Sequence, residues 1–340
     1  MNNHKSGRRR GNPAELFRRT LGLVSSRWFI YPILILLLFP LAKNAVYSMM
    51  EMNGFTIVDP LVPTEEIMRG GPPRDGIPSI DTPKFISANK TQLQPHDKVL
   101  GITLNGVSKA YPINILNFHE LVNDVFEDQS VAVSFCPLCG TGIAFDRQVK
   151  GSIRTFGVSG LLYNSDLLMY DRESESLWSQ IEGKAINGPE KGALLKRIPL
   201  EHTHWGVWKA QHPTTLVLSE DTGYWRNYQS SPYPNYHQSD RTYFPVSHTD
   251  KRYHPKTWVI GIEVGSEKKV YPFPELAKTS GKLTDIISNQ TFLIEYNSSA
   301  NSAKVYDSDG KPVPAITAFW FAWMTFHPES QVFKAVATPR

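Results

Sequence analysis

Cysteine is nearly absent. The chain has two in 340 residues, both in the run Cys136-Pro137-Leu138-Cys139-Gly140. That excludes a disulfide framework and a four-thiolate zinc site, which needs a second pair. Gly140 stands where covalent haem attachment requires a histidine. A phosphate-binding glycine loop, the helix of zinc proteases and a paired-carboxylate signature are also missing. Gly157-Val158-Ser159-Gly160 lacks the G-x-S-x-G order of a nucleophile elbow. Nor is there a large excess of charge on the main body. Of 36 Lys and Arg and 32 Asp and Glu, seven bases and one acid lie in the first 27 residues, leaving 29 against 31 elsewhere. A near-neutral body argues against a nucleic-acid partner.

Long apolar runs are scarce as well. Trp28 to Ala42 carries no charge; Lys43 interrupts, and Ala45 to Met50 follow. A crossing needs about 20 apolar residues, and flanking Arg27 and Lys43 can snorkel. Pro32 and Pro40 are tolerated in membrane helices. The basic cluster before the run predicts an N-terminus on the cytoplasmic side. The expectation is a single-pass protein of the inner (cytoplasmic) membrane with its main domain periplasmic or extracellular. The competing readings fit less well. A cleaved signal peptide would put Lys43 or Pro40 where a small residue is needed. A buried core helix would need no basic flank, and Phe17-Arg18-Arg19-Thr20-Leu21 is only a weak twin-arginine signal.

What is present is turns and short alternating segments. Pro (25) and Gly (23) are frequent, which suits short strands joined by many turns. The expected fold is mainly β (α+β), with antiparallel hairpins, a few short helices and two pseudo-repeat halves. VLGITLNGVSKAYP at 99–112 matches VIGIEVGSEKKVYP at 259–272, and each block reads as a hairpin. Trp205, Trp208, His212 and Pro213 recur at the same spacing as Trp320, Trp323, His327 and Pro328. The i, i+3, i+7 spacing puts both Trp and the His on one helical face. The organisation is therefore a basic tail at 1–27, an anchor at 28–47 and an extended Pro/Gly-rich arm at 48–97. A first repeat with the cysteines follows at 98–221, an aromatic linker at 222–257 and a cysteine-free repeat at 258–337. Features in both repeats are read as scaffold; features only in the first are where chemistry is sought.

Three readings of the cysteine pair stay open. Two thiols two residues apart can cycle between dithiol and disulfide, and an exported chain lies in an oxidising compartment. Against this, the pair sits between two strands rather than at a helix start, where a thiolate would be stabilised. C-P-x-C-G is also the form of a metal knuckle, with His119 as the next ligand, Met169 if the metal is copper, and copper or zinc as the ion. The bland reading is one structural disulfide, whose short loop would stabilise little. Near the pair, FHELVND puts His119, Glu120, Asn123 and Asp124 on one helical turn or loop. The segment peculiar to the first repeat is dense in polar residues: Arg154, Ser159, Asn164, Asp166, Tyr170, Asp171, Arg172, Ser176, Trp178 and Gln180. The aromatic linker reads as ordered packing or as the lip of a ligand pocket, with Tyr233 and Tyr236 the residues to test.

The runs CPLCGTGIAFDR, FGVSGLLYNSDLLMYDRESESLWSQIEGKAINGP and WGVWKAQHP closely resemble an exported bacterial family catalogued as domain of unknown function 3179. The resemblance covers about residues 95–335. The family's His-Glu and Asn-Asp pattern falls on His119, Glu120, Asn123 and Asp124, and its CxxC on Cys136 and Cys139. Some relatives are described as selenoproteins, which implies redox chemistry. The expectation is a membrane-tethered thiol-redox oxidoreductase in which Cys136 is the exposed nucleophile, Cys139 the resolving thiol and His119 the base. Its partner would be an exported protein or a small redox molecule. The alternatives are a copper or zinc site on Cys136, Cys139 and His119, and a non-catalytic binding module.

Overall fold

Asn105 and Gly106 both take positive φ, 52° and 78°, and this two-residue turn joins Lys98–Leu104 to Val107–Pro112. Asn-Gly favours such a hairpin turn because its twist matches that of the strands. Around this hairpin the computed structural model, which describes residues 49–335, builds a mainly β protein with four short helices among the described residues. They are α1 (Ile113–His119), α2 (Trp205–Gln211), α3 (Phe273–Leu276) and α4 (Trp320–Phe326). The basic tail and the apolar run 28–47 lie outside the described residues. No described helix is long and apolar enough to cross a membrane.

One five-stranded sheet orders Glu201–His204, Lys98–Leu104, Val107–Pro112, Leu216–Leu218 and Phe85–Ser87. Lys98 pairs with His204 antiparallel, and Leu216 with Lys109 parallel. In the central eight-stranded sheet, Trp258 pairs with Phe319 antiparallel and Gln331 with Lys269 parallel. This sheet also contains the meander Leu121–Phe126, Gln129–Cys136 and Thr141–Asp146, joined to Ile316–Phe319 through Thr317 and Gly142. A three-stranded meander, Lys282–Ile287, Gln290–Asn297 and Ser302–Asp307, stands separately.

Each hairpin carries a glycine under a tryptophan. A Cβ on Gly101 would lie 2.3 Å from the Trp208 ring, and one on Gly261 2.1 Å from Trp323. The indole N–H groups donate to Thr215 Oγ1 at 2.9 Å and Ser330 Oγ at 3.0 Å. A fully buried indole that keeps its hydrogen bond is a large apolar anchor without a polar penalty. Lys109 and Tyr111 converge on Asp124, and Lys269 and Tyr271 converge on Asp285.

The polar segment after the cysteines forms a sheet of its own: Lys184–Asn187, Leu177–Ser179, Asp166–Asp171 and Phe156–Tyr163, edged by Ile67–Arg69. The stretch expected as an extended Pro/Gly-rich arm at 48–97 thus carries short strands that pack on the domain. Met52, Phe55, Ile57 and Ile67 bury their side chains beside Leu168 and Tyr170, so apolar residues spaced among the prolines are core. FHELVND is likewise not one helical turn. His119 ends α1, Glu120 caps it with φ 58°, and Leu121–Phe126 is a strand paired with Gln129–Cys136.

Candidate functional site

Cys136 is the last residue of its strand and pairs with Thr141 across the four-residue loop 137–140. The loop closes on Gly140, whose φ of 65° favours glycine, and a Cβ there would meet the Trp258 ring at 2.9 Å. Phe319 N–H donates to the Cys139 carbonyl at 2.8 Å, fixing the loop to the central sheet. Both thiols are free and buried, 1% and 0% exposed, and lie 3.8 Å apart. The expected exposed nucleophile is therefore not found: the loop packs beneath Trp258 and the segment 222–257.

The hairpin Phe156–Tyr163/Asp166–Asp171 delivers the next groups. Its turn residues Asn164 and Ser165 both have positive φ, 53° and 68°. The turn aims the Ser165 carbonyl at the pair, 3.4 Å from Cys139 Sγ and 3.9 Å from Cys136 Sγ. Next to it Asp166, 1% exposed, accepts from Ile181 N–H at 3.1 Å. One atom each of Cys136, Cys139 and Asp166 lie within 4.8 Å of one another, the one such set of metal-capable side chains among the described residues. Glu120 reaches the same region because its backbone is held on both sides. Its N–H donates to the Leu116 carbonyl at 2.7 Å, and its own carbonyl accepts from Phe135 N–H at 2.7 Å.

Burial governs the electrostatics. It pushes the Asp166 carboxyl up to about 7, and Glu120 up to about 8, with Asp166 adding to the latter. Burial raises both thiols, Cys139 well above its ordinary value; a hydrogen bond from Cys139 partly offsets the rise at Cys136. Each ionised form lacks water to solvate it.

The aromatic segment covers this cluster. Tyr236 packs in the same apolar cluster as both cysteines, with Tyr233 against it. Lys256, 5% exposed, lies over the Tyr236 and Phe321 rings at 4.1 and 4.8 Å and donates to the Arg241 carbonyl. Burial lowers its ammonium to about 8, a fall that Cys139 partly offsets. Ser247 N–H donates to Asn164 Oδ1 at 2.8 Å, tying the cover to the hairpin turn.

His119 is not brought to the cysteines. Its Nδ1–H donates to the Pro78 carbonyl at 2.8 Å, and its Nε2 accepts from Tyr228 O–H at 2.6 Å. Tyr228 in turn accepts from Thr222 at 2.7 Å. With both nitrogens engaged and burial lowering its pKa, His119 anchors the start of the aromatic segment. Asp166 holds the place expected of it.

The other residues singled out fall into structural roles. Asn123 bridges Asp81, Arg147 and the Phe156 backbone. Asp124 receives Lys109 and Tyr111. Gln180 ties Ser134 to Thr141 directly behind the cysteine loop. Ser159 bonds the Leu168 carbonyl and Leu161 N–H at a bulge. Asp171 closes its turn through Ser174 and accepts the Trp178 N–H. Tyr170 donates to Asp75, Arg172 pairs with Asp81 and Arg154 with Glu190. Met169 packs in the apolar cluster around the pair. Sequence reasoning missed Ser165 and Lys256; their types carry no signal until the hairpin and the cover bring them in.

A family model described as protein of unknown function (DUF3179) matches residues 74–330. No curated protein and no solved structure matches the chain.

Proposed function

The chain belongs to the DUF3179 family, and we propose that its CPLCG loop is a dithiol–disulfide redox centre in which Asp166 is the proton acceptor. The observation that carries this is the pair itself: two free thiols 3.8 Å apart, beside a buried carboxyl. Closing the bond from that separation needs a shift well within reach of a four-residue loop. In exchange with a disulfide, one thiolate attacks and a partner thiolate leaves. The second thiol then attacks the mixed disulfide, so the partner leaves with two electrons and two protons. A neutral thiol is a poor nucleophile, and a carboxylate within reach can take its proton. Cys136 is the better attacker of the two, because burial raises both thiols while the hydrogen bond between them lowers Cys136 and raises Cys139 further.

The second reading is a metal centre on Cys136, Cys139 and Asp166, favoured by their mutual distances. Two thiolates and a carboxylate suit zinc; a copper site would draw on the thiolates. A bound dication would hold both thiols deprotonated. Alkylation of the pair, read by mass with and without chelator, separates the two. Thiols protected until chelator is added, with stoichiometric metal, would support the second reading.

Two broader features belong to the proposal. The two halves are copies of one module, supported by the matched registers: Lys98 with His204 and Trp258 with Phe319, Leu216 with Lys109 and Gln331 with Lys269. Cys136 pairs with Thr141 across four residues, and Asn297 pairs with Ser302 across four. Asn297 and Ala300 therefore stand where the first copy has its cysteines, and the second copy is scaffold. The run 28–47 anchors the chain in the inner membrane with the redox domain outside, supported by the basic flank. Recovery of the full chain in the soluble fraction after cell lysis would contradict the anchor.

A further inference from the structure

The cysteine pair is closed off, yet its surroundings are not chemically complete. Tyr236 Oη, Ser165 Oγ and Asp166 Oδ1 are buried and have no hydrogen-bond partner among the described residues. The residues are 3%, 1% and 1% exposed. All three border the pair. Tyr236 shares a buried cluster with both cysteines and its phenol feels the charge of both thiols, the Ser165 carbonyl faces both sulfurs, and the Asp166 carboxyl lies beside them. Buried polar groups are ordinarily satisfied, and each orphan costs about 1–3 kcal/mol. Three such groups beside one dithiol are donors and acceptors that a small polar molecule would satisfy.

We propose that the substrate of this centre is a small hydroperoxide, held by the unpartnered Tyr236, Ser165 and Asp166 groups against sulfurs that a folded partner cannot touch. The inference rests on the dithiol reading and deepens it. A protein disulfide must bring its own sulfur in line with the attacking one. Cysteines 1% and 0% exposed beneath Tyr233, Tyr236 and Lys256 deny that approach while the cover is seated. Hydrogen peroxide asks for far less room, and each of its oxygens can both donate and accept. Tyr and Ser hydroxyls can do either, and a carboxylate accepts.

The chemistry balances without a further oxidant. One thiol, its proton passing to Asp166, attacks a peroxide oxygen. The O–O bond breaks, the sulfur becomes a sulfenic acid, and the leaving oxygen takes a proton to become water, or an alcohol from an alkyl hydroperoxide. The second thiol displaces hydroxide from the sulfenic sulfur, giving the disulfide and a second water. The dithiol loses two electrons and the peroxide gains them. Two equivalents of a low-molecular-mass thiol restore the dithiol: the first opens the disulfide to a mixed disulfide, and the second attacks that bond and leaves with the first as their own disulfide.

The test follows disulfide formation in the fully reduced protein by quenching with an alkylating agent and weighing the product. Hydrogen peroxide and glutathione disulfide are compared at equal concentration, in the wild type and in Tyr236→Phe, with Ser165→Ala as a second variant. The proposal expects peroxide to be faster by at least about tenfold, and each variant to slow the peroxide reaction by about tenfold or more. Glutathione disulfide as fast as peroxide would overturn the substrate class and leave the dithiol reading standing. So would a peroxide reaction unchanged in both folded variants. Failure of both oxidants to form the disulfide would overturn both readings.

Discussion

Asp166 and Glu120 are acids placed where their charged forms are poorly solvated. In the unfolded chain they ionise near 4, as exposed carboxyls do, at about 3.9 and 4.3. In the folded protein burial holds them to about 7 and about 8. Between these limits the folded state binds more protons than the unfolded state, so stability falls as pH rises. On account of these groups the reduced protein should be most stable below about pH 4 and lose at least about 2 kcal/mol between there and about pH 8. Asp166→Asn should flatten much of that slope and slow oxidation of the pair. Denaturant melts at a series of pH values check it; a slope unchanged in Asp166→Asn would show that Asp166 is not the group responsible. At this scale the sequence was only partly legible. The cysteines stand out by rarity, and Asp166 was one of many polar residues in its segment. Nearness in the chain favoured His119, but α1 ends by turning its ring toward Pro78 and Tyr228. The hairpin turn, far along the chain, supplies the carboxyl instead.

The elements that were easiest to read are those whose signal is local. Alternation and turn residues marked both hairpins, and the Trp spacing marked α2 and α4. Gly101 and Gly261 tie the two signals together, since each is the floor on which an indole lies. Gly101→Ala and Gly261→Ala should each cost about 2–3 kcal/mol, because a methyl 2.1–2.3 Å from a fully buried ring forces the indole or the strand to shift. Gly106→Ala, where a Cβ meets nothing within 4 Å, should cost about 1 kcal/mol, the expense of a left-handed backbone. Chemical denaturation of the three variants orders them; equal losses would mean the Trp stacking is loose. Within 48–97, Ile67–Arg69 and Phe85–Ser87 were not legible because their partners lie about a hundred residues away, whereas Met49–Met52 and Phe55–Val58 pair with each other across Asn53 and Gly54, a local signal that sequence reasoning passed over. Prolines and glycines there also masked the alternation that Phe55, Ile57 and Ile67 supply.

Across the whole molecule, the aromatic segment 222–257 is the feature whose role the sequence left most open. The packing reading is the one the structure bears out: Tyr236 is buried core, and its phenol also feels the charge of both thiols. Its anchors include Tyr228 on His119, Ser247 on Asn164, the Trp320 indole donating to the Asp250 carbonyl and the Thr325 hydroxyl donating to the His248 carbonyl. The cover excludes water from a dithiol, which raises both thiols and makes the carboxyl beside them the natural acceptor of their protons. The account therefore turns on whether this buried pair cycles. The decisive measurement is a redox titration of the domain beginning at about residue 51, after chelator treatment, with Cys136 and Cys139 read by alkylation and mass. A reversible two-electron transition, at about −120 to −270 mV as for catalytic dithiols, is the predicted result. A pair that never forms a disulfide across that range, or one that forms it and cannot be reduced, would contradict a redox role.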